Sequence, residues 1–76
     1  MIESILSILS ESKPEIEFEQ TSTLFDSGIL DSFDLLIIVS ELESAFEISI
    51  PGELLIPENF NTPLDIKALV EKLTKI

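Results

Sequence analysis

The fold is decided by Ser32-Phe33-Asp34-Leu35-Leu36-Ile37-Ile38-Val39-Ser40-Glu41-Leu42-Glu43-Ser44-Ala45-Phe46, one uninterrupted helical stretch. At about 100° per residue, Leu35, Ile38, Val39, Leu42, Ala45 and Phe46 form a broad apolar stripe that can bury against other helices. At its start, Asp31 or Ser32 can accept bonds from the first free backbone N–H groups, and Asp34 adds a carboxylate to the first turn. Phe33, Leu36 and Ile37 fall outside the stripe, among Ser40, Glu41, Glu43 and Ser44. Either this helix is central and covered on nearly every side, or these residues stay exposed and meet partner proteins. The position of Phe33 and Leu36 beside Ser32 favours exposure.

Towards the N-terminus, a long connection spans about Lys13 to Asp31, with Ile16, Phe18, Leu24, Phe25, Ile29 and Leu30 available to pin it to a core. Connections of that length inside a compact domain usually serve a purpose. Asp26-Ser27-Gly28 reads as a turn. Before it, Ile2, Ile5, Leu6 and Leu9 fall on one helical stripe, predicting a first helix from about Ile2 to Glu11. Ser12-Lys13-Pro14 ends that helix, because the residue before a proline is pushed out of the helical region.

Towards the C-terminus, Glu47 to Asn61 reads as irregular, with room for a short helix around Glu53–Ile56 or Pro57–Phe60. The alternation in Ile16-Glu17-Phe18 and in Ile48-Ser49-Ile50 leaves two short strands as an alternative. The last helix has Thr62 as N-cap, Pro63 in its first position and Asp65 at the capping-box position. Leu64, Ala68, Leu69 and Leu73 supply its expected apolar face, with Ile66 and Val70 flanking, and Lys72 and Lys75 in the last turn. The expected architecture is therefore all-α: three main helices and one short one, with a long first loop, in one domain covering residues 1–76.

Composition narrows the function. Fifteen acidic residues face four lysines, a formal net charge of −11. Such a surface repels nucleic acid and anionic lipid and favours basic patches on other proteins, although acidity also simply keeps a small apolar domain soluble. No run approaches the ~20 apolar residues needed to span a membrane, and Met1-Ile2-Glu3-Ser4 lacks the basic start of a secretory signal. A cytoplasmic location is the default. With no Cys, stability must come from packing alone. The absence of His, Cys, Tyr, Trp and Arg removes the common general base and thiol nucleophile, and two glycines make no phosphate-binding loop. A self-contained enzyme is not expected.

Ser32 is one of ten serines, and its setting distinguishes it. Gly28-Ile29-Leu30-Asp31-Ser32-Phe33-Asp34 delivers a serine to the N-terminal tip of an apolar-rich helix. A phosphodiester there would lie near free N–H groups at the positive helix end. Asp31 and Asp34 would oppose that charge, and make better sense as contacts for a basic modifying enzyme. On this ground alone Ser32 is either a plain helix cap or a modified residue.

The segment Leu24 to Phe33 closely resembles the phosphopantetheine attachment region of acyl carrier proteins, with its Asp-Ser followed by a large apolar residue. The resemblance continues through Leu42-Glu43, Phe46 and Ile48-Ser49-Ile50-Pro51 and covers essentially the whole chain. It implies a four-helix bundle carrying 4′-phosphopantetheine, derived from coenzyme A, on Ser32. It also implies a monomer that works with a phosphopantetheinyl transferase, an adenylating or acyl-transferring loading enzyme and downstream acceptor enzymes. By position, Asp31, Phe33, Asp34, Leu36, Ile37 and Glu43 match the surface on which those partners dock.

Ile37 and Ser44 stand where carriers of fatty acid synthesis commonly have glutamate. Glu58-Asn59-Phe60-Asn61-Thr62-Pro63 and the Gly-x-Leu-Asp-Ser pattern of Gly28–Ser32 resemble D-alanyl carrier proteins and stand-alone carriers of peptide and polyketide pathways. A specialised carrier is therefore expected over the fatty acid type. The rivals are a small acidic interaction domain with no prosthetic group and, on Asp26, Asp31 and Asp34, a calcium site whose spacing does not match the usual loop.

Overall fold

The computed structural model describes residues 1–74. It contains three helices, α1 (Ile2–Ser12), α2 (Ser32–Phe46) and α3 (Pro63–Thr74), with 3-10 turns at Gly52–Leu54 and Pro57–Asn59 between α2 and α3. The all-α expectation holds among the described residues, and the expected short helix resolves into those two turns. Each turn closes through a short-range bond, Leu55 N–H to the Gly52 carbonyl at 3.1 Å and Phe60 N–H to the Pro57 carbonyl at 3.0 Å. Pro57 has no N–H to continue a helix from the first turn into the second. Neither alternating segment becomes a strand among the described residues. In the second of them the Ile50 N–H is taken by the Glu43 carboxylate at 2.8 Å instead of a neighbouring strand.

Helix α1 packs against both α2 and α3 and is the central helix of the three. Ile5 and Leu9 are buried on it, Ile2 and Leu6 are half-buried, and Ile8 packs against the core beside them. The chain leaves α1 at Lys13, whose N–H still reaches the Leu9 carbonyl at 2.9 Å before Pro14.

Helix α2 is therefore not the covered element. Leu35, Ile38, Val39 and Leu42 of its stripe are buried, whereas Phe33 is 70%, Leu36 60% and Ile37 42% exposed. Ala45 departs from the expected stripe and is exposed, because only Phe46 of the last turn still packs against the core. Glu47 ends the helix in the left-handed region, at φ 54°.

On α3 the buried face is rotated from the expected one. Pro63, Ile66, Leu69 and Val70 are buried, while Leu64 and Ala68 are exposed. Pro63 sets the phase: once it is packed, the i+3 and i+7 positions, Ile66 and Val70, point the same way. Thr62 does cap the helix, its Oγ1 accepting the Asp65 N–H at 3.1 Å. Lys72 lies in the last turn as expected, and Lys75 lies outside the described residues.

The irregular segments complete the core. Leu24 and Leu30 of the long loop, Ile50, and Phe60 just after the second 3-10 turn are buried with the helical residues. Phe18, Phe25 and Ile29 pack against this cluster, and Ile16 is half-buried. Each such fully buried aliphatic or phenyl side chain contributes about 1.5–3 kcal/mol, so the loops are anchored to the core by burial.

Candidate functional site

The site is built by the end of the long loop and the start of α2. Leu24 and Leu30 sink into the core at either end of an exposed turn, and the Leu30 N–H donates to the Leu24 carbonyl at 2.9 Å. The turn closes through Gly28, whose φ of 80° suits a residue without Cβ and whose N–H reaches the Phe25 carbonyl at 3.1 Å. The chain then extends at Asp31 and enters the helix.

Asp31 and Asp34 form a reciprocal cap. The Asp34 N–H donates to Asp31 Oδ1 at 3.0 Å, and the Asp31 N–H donates to Asp34 Oδ2 at 3.2 Å. The Asp34 backbone N–H holds the Asp31 carboxyl below its ordinary pKa, with the Phe33 N–H and Lys13 adding in the same direction against a contrary effect of desolvation. Lys13 Nζ lies 3.7 Å from Asp34 Oδ2 and ties the end of α1 to the same place.

Ser32, in the first helical position, is thereby relieved of capping. It is exposed, and its hydroxyl has no hydrogen-bond partner among the described residues. A phosphodiester fits there without displacing anything. Asp31 accepts the Asp34 N–H, one of the free donors at this end of the helix. The chain has no imidazole or thiol, and both carboxylates nearest Ser32 are engaged in the cap.

The other expected site residues separate. Phe33 and Leu36 form an exposed apolar ridge beside Ser32. Ile37 continues it and also lines a groove of about 290 Å³ between α1 and α2, with Ile8, Glu11, Ser12, Ile38 and Glu41. Glu43 is half-buried, with Oε2 bonded to the Ile50 N–H. No group of three or more acidic residues able to hold a metal ion occurs among the described residues, and Asp26 is engaged by Asn61. Asn61 lies in the Glu58–Pro63 segment already singled out, but nothing in that segment marks its partners: its side chain bonds the loop at Phe25 and Asp26, more than thirty residues earlier.

The site is thus an exposed, unengaged serine on a helix tip, flanked by an apolar ridge on an acidic helical scaffold. The family model described as "Phosphopantetheine attachment site" matches residues 1–70, and the chain belongs to that family. A D-alanyl carrier protein of Lactococcus lactis subsp. cremoris is 37% identical over 76 residues, covering 97% of this chain and 96% of the relative. An acyl carrier protein of Streptococcus pyogenes is 38% identical over 68 residues, covering 90% of this chain and 86% of the relative. One from Streptococcus thermophilus is 37% identical over the same length. No solved structure matches the chain. The protein is a carrier, not an enzyme; its prosthetic group is 4′-phosphopantetheine, whose thiol holds cargo as a thioester, and its partners include transferases and loading enzymes.

Proposed function

We propose that Ser32 is the attachment point and that the protein is a specialised, monomeric, cytoplasmic aminoacyl carrier whose cargo is D-alanine. The observation that carries the attachment is the exposed, unengaged hydroxyl at the first position of α2. Phe33, Leu36 and Ile37 supply an apolar docking ridge beside it, with Asp31, Asp34 and Glu43 as acidic contacts around its margin. A transferase with a basic face would meet that surface. The match to D-alanyl carriers over 76 residues, against 68 for the acyl carriers, supports the cargo. No helix among the described residues is long and apolar enough to cross a membrane.

Incubation with coenzyme A, magnesium and a broad-specificity phosphopantetheinyl transferase tests the attachment by intact mass. One arm is expected on the natural chain and none on Ser32→Ala; an arm on both would move the site elsewhere. Loading of the modified protein by a D-alanine-activating enzyme, and not by a fatty acyl transferase, is the result expected for the cargo.

A further inference from the structure

Asn61 makes four hydrogen bonds to the loop that delivers Ser32. Its carbonyl accepts the Leu24 N–H at 2.6 Å, and its Oδ1 accepts the Phe25 N–H at 3.1 Å and the Asp26 N–H at 3.2 Å. Its Nδ2 donates to Asp26 Oδ2 at 3.1 Å. Both ends of the amide are therefore spent on one short segment. The Asn59 amide, by contrast, donates to the Leu54 carbonyl five residues away and ties together only the two neighbouring 3-10 turns.

From that segment the bonding continues to the helix. Gly28 N–H reaches the Phe25 carbonyl, Leu30 N–H reaches the Leu24 carbonyl, and the next residue, Asp31, caps α2. Core packing holds the ends of the turn at Leu24 and Leu30, but Asp26, Ser27 and Gly28 are exposed. Phe25 and Ile29 also pack against the core, so the exposed tip from Asp26 to Gly28 is the part left to hydrogen bonds. The bonds from Asn61 span about 35 residues of sequence.

We infer that Asn61, paired with Asp26, is the positioning residue that holds the Ser32 loop in the shape that modifying and loading enzymes engage. The inference rests on Ser32 being the attachment point. With the clasp closed, the competent loop shape is the populated one. Once it opens, the competent fraction falls and the apparent affinity of any enzyme requiring that shape falls with it, while the chemistry after docking is unchanged.

The apo protein serves as substrate for a broad-specificity phosphopantetheinyl transferase with saturating coenzyme A. Asn61→Ala is expected to raise the KM for the carrier about tenfold, with kcat within about twofold, as the loss of one or two net hydrogen bonds implies. Asn61→Asp keeps the acceptor but sets a carboxylate against Asp26, and is expected to raise KM as well. Combining it with Asp26→Asn exchanges donor and acceptor and is expected to return KM to within about twofold of the natural value. A merely structural anchor would recover thermal stability in the double variant without recovering KM.

A natural KM in Asn61→Ala, or a double variant that regains stability but not KM, overturns the inference. Amide exchange gives an independent reading on the same proteins. Asn61→Ala should speed exchange at Phe25, Asp26 and Leu30 and spare Leu9 of α1; unchanged exchange at Leu30 also overturns the inference. Should the natural chain accept no arm, the attachment at Ser32 falls, while the exchange rates still decide whether Asn61 holds the loop.

Discussion

Asp31 and Asp34 cap one another through their backbone N–H groups, at 3.0 and 3.2 Å, so two like-charged side chains share the entrance of the helix that carries Ser32. The arrangement is favourable because each carboxylate accepts a backbone bond at the positive end of α2. It also divides the work within one turn: Asp31 and Asp34 serve the helix, and Ser32 between them is left free. The apolar neighbours Phe33 and Leu36 then flank an unencumbered hydroxyl.

The cap carries a pH signature. The Asp31 pKa is lowered in the folded chain from an ordinary 3.8, chiefly by the Asp34 N–H. A depressed carboxyl stabilises the fold fully above its unfolded pKa and loses that contribution as pH falls through the folded value. Thermal midpoints of the natural chain and Asp31→Asn, measured from pH 6 down to pH 2, should differ most at the upper end and converge below about 3.8. Taking the difference removes the general effect of protonating the other carboxylates, which relieves a net charge of −11. A gap that widens in acid would contradict the cap as the cause.

Neighbouring leucines on α2 should behave oppositely. Leu42 is fully buried, and Leu42→Ala is expected to cost about 2–5 kcal/mol, a large share of a small domain's stability. Leu36 is 60% exposed, and Leu36→Ala should move stability by no more than about 0.5 kcal/mol. It should instead weaken transfer from the loading enzyme, since exposed apolar anchors contribute to docking. Denaturant midpoints alongside loading rates separate the two; a large stability loss at Leu36 would place it in the core.

The contrast between those leucines was legible in the sequence, because a helix of 15 residues has only one face to give and the 3.6-residue period assigns Leu42 to it and excludes Leu36. The helix limits were legible for a similar reason: Pro14, Thr62-Pro63 and Asp31 punctuate the chain by local backbone chemistry. The α3 face was not, since Leu64, Ala68 and Leu73 make a stripe as plausible as that of Ile66 and Val70, and the burial of Pro63 decides between them. At the site, the exposed serine and apolar ridge followed from local pattern and family resemblance. The Asn61 clasp did not, because a bond between residues about 35 apart leaves no periodicity to detect.

Glu47 ends α2 in the left-handed region, at φ 54°, where a side chain costs about 1–2 kcal/mol. Its carboxylate also lies at the negative end of the helix. Glu47→Gly removes both penalties against an entropic loss of about 0.5–1 kcal/mol, so a net gain of about 1 kcal/mol is expected. Urea unfolding should show a higher midpoint with an unchanged slope. Destabilisation would mean that the Glu47 side chain makes a compensating contact.

Glu43 can serve the fold, the partners or both, and two substitutions distinguish these roles. Its Oε2 accepts the Ile50 N–H at 2.8 Å, and Ile50 is a buried part of the core. Glu43→Ala strands that N–H in a partly buried place and should cost about 1–3 kcal/mol. Glu43→Gln keeps an acceptor at the same reach and should cost less than about 1 kcal/mol while removing the charge. If Glu43 also contacts a basic partner, the glutamine variant keeps its thermal midpoint but loads more slowly, with a weaker dependence on salt. If loading suffers only in the alanine variant, the bond to Ile50 is the whole of its contribution, and Glu43 acts on partners only by keeping the end of α2 folded.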